Sequence, residues 1–351
     1  MRKTVLTATF LALTTTAALA APKGDRQWAD CMSDDAAKSI RGCTEVLARG
    51  SRVSDRTRAG AHFNRGIEHA KAGRHQEALA DFGAAASLRL DSARPFVEMM
   101  QVHRRMGNLD LALVEINKAV SREPDNADVY FHRADLLDDR GELEEALSDL
   151  DRAIAKNPAY GRAYNLRGLI MNKQKRYPRA IREFNIALQQ EPQMAVVYGN
   201  RAWSFSQMGE LELALADYDY AIQLAPDRPN VLNGRGLVHG RMGNIDLALA
   251  DFNRAIRLDP RFRAARENRV DMLLRKKDCR TAMPELDALI AEQSKPLLLA
   301  FRGTCQGSLG NLAAALLDFN AALAREPELG IARSGHRKAE AMLAGTPPAS
   351  F

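Results

Sequence analysis

Four cysteines are the residues best placed to do chemistry in this 351-residue chain, and they occur as two local pairs. Cys31 and Cys43 lie 12 residues apart, and Cys279 and Cys305 lie 26 residues apart. These spacings differ from those of zinc ribbons and of Cys-x-x-Cys redox motifs. Four cysteines allow three disulfide pairings, and we expect the local one. Buried free thiols are the alternative, chiefly for the second pair.

The histidines show no arrangement that favours catalysis. They are scattered along the chain, without a catalytic triad or a phosphate-binding loop beside them. They are His62, His69, His75, His103, His132, His239 and His336. We therefore expect a protein that is not an enzyme and that uses no cofactor and no metal.

The elements that must position these residues follow from a repeat of 34 residues. Five prolines recur at this interval, and alanines recur with the same period at two further positions. The prolines are Pro124, Pro158, Pro192, Pro226 and Pro260. A fixed period of this length indicates one supersecondary unit copied along the chain. Because proline cannot continue a helix and disfavours helical geometry in the residue before it, each of these prolines closes a unit.

When the proline is placed at position 32, three further positions share a residue type. Position 8 is glycine or alanine in six of eight units, position 15 is glycine in six, and position 24 is always aromatic or aliphatic. On these residues the chain resembles the tetratricopeptide repeat (TPR) family, whose unit is two antiparallel helices. The resemblance covers residues 59–329. It implies an all-α fold, a right-handed superhelical solenoid of about eight 34-residue helix-turn-helix units. The units begin at Ala59, Ala93, Ala127, Gly161, Ala195, Pro229, Arg263 and Pro296.

Two charged positions depart from the pattern of the family. Position 7 is arginine in seven units, with Met99 as the exception, and position 23 is acidic in all eight. The two helices of a unit would bring these positions together, so we expect a ladder of exposed ion pairs within the units. A nucleic-acid stripe is the alternative, but the acids would cancel its charge. The formal net charge of +6 is too mild over this length to indicate nucleic-acid binding.

The N-terminus has the parts of a secretory signal in their usual order. Arg2 and Lys3 are followed by an apolar run from Val5 to Leu13 and by the small-residue motif at 18–20. A plain apolar core helix is the alternative. No later stretch is long and apolar enough to span a bilayer, so we expect no transmembrane segment. We expect export through a Sec-type signal, to the periplasm or outside the cell, where disulfides are stable.

The predicted organisation has five parts. Residues 1–20 are a signal peptide, 24–50 an N-terminal helical hairpin that caps the repeats, and 59–329 the TPR solenoid. Residues 330–344 are a C-terminal capping helix and 345–351 a disordered tail. The ends of a solenoid need caps with a polar outer face, and a disulfide would hold so small an N-terminal cap together.

The family resemblance also implies where a partner would bind. In TPR proteins the first helix of each unit lines a concave groove, with positions 2, 5, 6, 9, 12 and 13 facing it. We therefore expect a protein or peptide partner in this groove. A solvated helix face is the alternative for any single residue. The candidate binding residues are Arg94, Gln101, Arg104, Arg105, Asp135, Asp138, Asp139, Asn165, Asn172, Asn200, Trp203 and Asn233.

Two functions are compatible with these features. The first is a non-catalytic adaptor or scaffold that binds a partner in the concave groove. The second is a structural spacer that packs by its outer surface into an envelope assembly. The chaperone-binding carboxylate clamp known in some TPR proteins is not implied, because Phe63 and Ile67 occupy its first two positions here.

Overall fold

A computed structural model describes residues 25–88 and 91–346. The predicted signal peptide and residues 347–351 of the predicted tail lie outside this range. Throughout the described part the secondary structure is helical, which confirms the all-α fold. None of the described helices is long and apolar enough to cross a membrane. The chain divides into two compact units, the first ending at Leu166 and the second beginning at Arg167.

The first unit opens with a helical hairpin and continues as helix pairs. Asp25 and Asp35 cap the two hairpin helices, since their carboxylates accept from the backbone N–H groups of Trp28 and Lys38. The boundary between the units lies within α9. The helices are α1 (Arg26–Cys31), α2 (Ala36–Ala48), a 3₁₀ turn (Gly50–Arg52), α3 (Asp55–Lys71), α4 (His75–Leu88), α5 (Arg94–Arg105), α6 (Leu109–Arg122), α7 (Ala127–Arg140), α8 (Leu143–Lys156) and α9 (Gly161–Lys173).

The second unit continues the pairs and ends on a single helix. Proline stands in the first turn of three helices in this unit, where a missing N–H group costs nothing. Its helices after α9 are α10 (Tyr177–Gln190), α11 (Ala195–Met208), α12 (Leu211–Leu224), α13 (Pro229–Arg241), α14 (Ile245–Leu258), α15 (Arg263–Arg275), α16 (Cys279–Glu292), α17 (Pro296–Ser308), α18 (Leu312–Arg325) and α19 (Gly330–Leu343).

The turn inside each pair depends on one residue in the left-handed region. Gly209, for example, has a φ of 88° and ends α11. Two pairs lack glycine at this position, and there Lys175 and Lys277 take φ values of 58° and 60°. The geometry of the turn is therefore kept even where the residue type does not favour it.

Small residues let the two helices of a pair approach closely. A Cβ atom on Gly168 would lie 2.6 Å from the ring of Phe184, so only glycine fits above that ring. Ala180 and Ala187, at positions 20 and 27 of the same repeat, are fully buried. The close packing that the repeat pattern predicts is therefore present, and it fixes which face of each first helix remains open.

The predicted ladder of arginine–carboxylate pairs is confirmed, and it reaches further than expected. Arg201 binds Asp217 of its own pair and also donates to Asn185 of the preceding pair at 2.6 Å. Arg235 likewise binds Asp251 and Asp219. The ladder therefore links neighbouring repeats as well as the two helices of each repeat. The seven pairs are Arg65–Asp81, Arg133–Asp149, Arg167–Glu183, Arg201–Asp217, Arg235–Asp251, Arg269–Glu285 and Arg302–Asp318.

The expectation that these pairs are exposed is wrong. Asp149, Asp251 and Asp318 retain 3%, 5% and 6% of their surface, because the arginines and the adjacent helix cover them. A buried carboxylate depends on its partner far more than an exposed one does.

Both local cysteine pairs lie within bonding distance. Cys31 and Cys43 join α1 to α2, and Cys279 and Cys305 join α16 to α17. Cys279 is the first residue of α16. Pro284 lies inside α16.

Candidate functional site

The first helix of each pair lies on the inner side of its unit. In the first unit α3 touches α5 and α5 touches α7, and in the second unit α11 touches α13 and α13 touches α15. The second helices of successive pairs make fewer such contacts. Stacked pairs whose first helices are closer together curve toward those helices. The side chains on the open face of the first helices therefore form the candidate binding groove of each unit.

In the groove of the first unit, one of the predicted basic residues forms ion pairs with two of the predicted acidic residues. Arg104 on α5 donates through Nε to Asp139 on α7 at 2.6 Å and also pairs with Asp135. Burial alone would lower the pKa of Arg104, but these two carboxylates hold it above its usual range. The charges of Arg104, Asp135 and Asp139, which the sequence predicts for partner binding, therefore largely neutralise one another.

The other predicted residues of the first unit differ in accessibility. Arg94 lies with its guanidinium carbon 4.9 Å from the ring centroid of Phe63, a cation–π contact that holds it against α3. Arg105 is exposed, whereas Gln101 and Asp138 are half-buried. Asn165 on α9 is half-buried as well.

Two titratable groups stand on the same face of the first unit. Burial raises the pKa of Glu98, an effect that Arg105 and Arg94 partly offset. Burial lowers the pKa of His132, and Arg162 adds to this. Both shifts favour the neutral form of the side chain.

The groove of the second unit is apolar and open along one row. Trp203 on α11 and Leu237 on α13 each keep 41% of their surface, although both are large and hydrophobic. The ring of Trp203 is supported from one side by Tyr177, at 5.7 Å between centroids and nearly edge-on. These residues share position 9 of successive repeats with Leu169. The sequence prediction names Trp203 but not Leu237, although the 34-residue period places both at the same repeat position.

The predicted asparagines of the second unit occupy different environments. Asn172 is buried, and its Oδ1 accepts from the Ser204 hydroxyl at 2.9 Å, so this side chain is closed to a partner. Asn200 is half-buried. The Oδ1 atom of Asn233 accepts from Asn268 at 2.8 Å, which leaves its NH₂ group as the donor for other contacts.

The groove positions of the second unit carry charges of both signs, with Glu267, Asp271 and Arg275 in the repeat that begins at Arg263. Nearer the start of the unit they carry Lys173 and Arg241. Both are exposed, and Arg241 donates to the hydroxyl of Ser206 at 2.9 Å. Within the described residues no cluster of His, Cys, Asp and Glu could hold a metal ion.

Three family models of the repeat match the chain, over four ranges that partly overlap. The Tetratricopeptide repeat family matches residues 98–156, 133–195 and 229–262, and the TPR repeat family matches 204–243. Comparison with curated protein sequences returned no match.

Solved structures with the same fold are distant in sequence. A tetratricopeptide repeat protein from Parabacteroides merdae is 19% identical, with a TM-score of 0.51 over 71% of this chain and 98% of its own. The APC/C assembly Cut9–Hcn1 is 15% identical, with a TM-score of 0.61 over 86% of this chain and 59% of its own. PilW, a type IV pilus biogenesis factor, is 19% identical, with a TM-score of 0.54 over 59% of this chain and 97% of its own. At these identities the likeness concerns the fold.

Proposed function

Because the chain belongs to the tetratricopeptide repeat family, we propose that it is a non-catalytic adaptor that binds a peptide or protein partner in the groove of its first helices. The fold is one that serves protein interaction in general, and fold alone does not specify a partner. The observation that carries the proposal is the exposure of Trp203 and Leu237 on the inner face of neighbouring helices. Large exposed apolar side chains that are grouped and rimmed by polar ones are typical of interaction sites.

The proposed place of action is outside the cytoplasm. Two cysteine pairs within bonding distance suit an oxidising compartment. The basic, apolar and small-residue segments at the N-terminus suit a secretory signal. Export would be tested by fractionating cells that express the full chain and by sequencing the N-terminus of the mature protein.

The second candidate, a spacer that packs by its outer surface, is favoured by a different observation. Leu317 on α18 keeps 72% of its surface, and Leu213 and Leu247 on α12 and α14 keep 50% and 53%. These leucines lie on second helices, away from the groove. They are either outer contacts of an assembly or isolated surface leucines, which are common on soluble proteins.

Site-specific photocrosslinking distinguishes the two candidates. A benzophenone amino acid would replace Trp203 in the groove or, as the matched outer position, Leu247. The adaptor proposal expects a crosslinked partner from position 203 and none from position 247. Crosslinking from position 247 alone would reject the groove and support the spacer.

A further inference from the structure

The ladder of arginine–carboxylate pairs has one gap, in the repeat that α5 and α6 form in the first unit. Met99 stands there at position 7, where the other seven repeats have arginine. Its acidic counterpart at position 23 is Glu115, whose Oε1 atom accepts from Lys118 at 2.7 Å. The Oε2 atom of Glu115 is buried and makes no hydrogen bond to any described residue. This carboxylate therefore lacks the arginine donor that the ladder supplies in the other repeats.

The acceptor in the preceding repeat is missing as well. In the complete ladder the arginine also donates to the side chain at position 25 of the repeat before it, as Arg133 does to Asn117 at 2.9 Å. For the repeat of Met99 that position is Gly83 on α4, which has no side chain to accept. A Cβ atom on Gly83 would meet nothing within 4 Å, so there is open space at this end of the gap. The donor and the acceptor are thus missing together, at the same step of the ladder.

Two exposed apolar side chains lie beside Glu115 on the same helix. Leu111 and Val114 each keep 50% of their surface. Among the described residues of the first unit's helix pairs, from α3 to α8, no other large hydrophobic side chain is this exposed. Exposed apolar side chains that are grouped and have polar neighbours are typical of interaction sites. The apolar surface therefore coincides with the one repeat in which the ladder is interrupted.

An open hollow of about 560 Å³ adjoins the carboxylate of Glu115. Phe96, which keeps 8% of its surface, lines this hollow together with Val114 and Lys118. Because Lys118 lines the hollow and also binds Oε1 of Glu115, the hollow and the carboxylate are adjacent. The remaining lining residues are Asn117, Ser121 and Arg122.

We propose that this part of the outer surface binds an arginine side chain of a partner protein. We call it the outer site, and it consists of Gly83, Met99, Leu111, Val114 and Glu115. The guanidinium group of the partner enters beside Gly83 and donates to Glu115, in place of the arginine that the ladder lacks. Arginine suits the site better than lysine, because its planar fork of donors matches a carboxylate. The outer site lies on second helices, so the inference is independent of the groove function proposed above.

A small rearrangement opens Glu115 to such a ligand. The side chain of Lys118 is 49% exposed, so it can turn to solvent when a guanidinium takes over the carboxylate. Methionine is unbranched and has three rotatable bonds, so Met99 can adapt to the aliphatic stem of an arginine. A buried acceptor without a partner is unfavourable in the free protein, and its pairing on binding favours the complex.

The hollow and its charges define the rest of the ligand. An apolar side chain of the partner fits the hollow at Phe96. Lys118 and Arg122 are both positive, so they disfavour a densely basic segment. The ligand is therefore a segment with a single arginine beside an apolar residue.

The first test asks whether the gap accepts a guanidinium group. Met99→Arg supplies one within the chain, as in the other repeats. We expect this variant to unfold at a higher temperature than the wild type, and we expect Glu115→Gln to remove most of the gain in the double variant. Leu247→Arg, which adds the same charge to the outer face of the second unit, is the control and should give no such gain. A Met99→Arg variant no more stable than this control would overturn the inference.

The second test uses the full chain and a display library of random twelve-residue peptides. Peptides are selected on the wild type after depletion on Met99→Arg, in which the gap is filled, and their Kd values are measured by fluorescence anisotropy. We expect them to share one arginine beside an apolar residue. Citrulline, the neutral isostere of arginine, should weaken their binding about tenfold, and Glu115→Gln should do the same. Trp203→Ala in the groove should leave their binding unchanged.

Three outcomes of the selection would overturn the inference. A library that yields no binder after depletion would reject the outer site and leave the groove function untouched. Peptides that lack arginine and are rich in Asp and Glu would assign binding to Lys118 and Arg122 and reject Glu115 as the anchor. Peptides that lose affinity with Trp203→Ala but not with Glu115→Gln would belong to the groove.

Discussion

The guanidinium group of Arg201 donates through Nε and one terminal nitrogen to the two carboxylate oxygens of Asp217, and both distances are 2.7 Å. Asp217 keeps 8% of its surface, so it has little access to water. This paired geometry recurs along both units. It holds the first helix of a pair at a fixed rotation, and this rotation decides which side chains face the groove.

Removal of one partner should therefore be costly. Arg201→Met leaves Asp217 buried without a counter-ion, and we expect a loss of about 3 kcal/mol in the free energy of unfolding. The double variant Arg201→Met with Asp217→Leu should recover much of this loss. Urea denaturation gives the measurement. The control is Lys156→Met, whose ion pair with Asp125 is exposed on both sides and should change the free energy of unfolding little. Equal losses in the two single variants would contradict the buried ladder.

Stability should fall in mild acid. Burial lowers the pKa of His69 and His239 in the folded state, and the Nδ1 atoms of both are buried without a hydrogen bond. The unfolded chain binds a proton at these groups near their usual pKa of about 6.5, while the folded chain does so only at lower pH. The stability associated with the neutral forms is thus present above about pH 6.5 and is lost as the pH falls below it.

His239→Phe should reduce this dependence. The equivalent position in the preceding repeat is Phe205, so this repeat position accommodates an aromatic ring. Each histidine contributes a slope of at most about 1.4 kcal/mol per pH unit. Denaturation between pH 7.5 and pH 5 should show a shallower decline for the variant than for the wild type. Identical slopes would contradict the assignment to His239.

Glycine in place of lysine in two of the turns between paired helices should stabilise the protein. Lys175 and Lys277 hold φ values of 58° and 60°, which glycine adopts without the steric cost of a Cβ atom. We expect Lys175→Gly to raise the free energy of unfolding by about 1 kcal/mol. Arg179→Gly, only four residues further and inside α10, should lower it by about 1 kcal/mol. A loss of stability in both variants would show that the turn does not strain Lys175.

The two cysteine pairs should form disulfides in protein purified from an oxidising compartment. Loops of this length are expected to contribute about 3 kcal/mol each on the chain-entropy model. Non-reducing peptide mapping should find Cys31 linked to Cys43 and Cys279 linked to Cys305. Free thiols at all four positions would remove both bridges and much of the support for export. The double variant Cys31→Ala with Cys43→Ala should chiefly destabilise α1 and α2, as measured by amide hydrogen exchange.

The sequence by itself determined the helix pairs and their packing. The prolines at position 32, the small residues at positions 8 and 20 and the arginine–acid positions 7 and 23 are local or periodic signals. Each of these signals depends only on residues within one repeat and on its contact with the adjacent repeat. For this reason Gly168 over Phe184 and Arg201 beside Asp217 lie where the period predicts them.

The candidate site was only partly predictable. Trp203 is exposed on the groove face as expected, but Asn172 is buried beneath Ser204, and Arg104 is bound to Asp135 and Asp139. A repeat position gives the direction in which a side chain leaves its helix. It does not say whether a residue of the next pair covers or neutralises that side chain.

Only the tertiary structure decided the features that depend on two pairs at once. The reach of Arg201 to Asn185 and the position of the Tyr218 hydroxyl at Gly234 both cross from one pair to the next. The period of the sequence specifies each repeat, because helix formation and close packing depend on residues near one another in the chain. The exceptions to the repeat acquire their surroundings only when neighbouring pairs stack, since a residue such as Tyr218 also lies against the helix pair that follows its own.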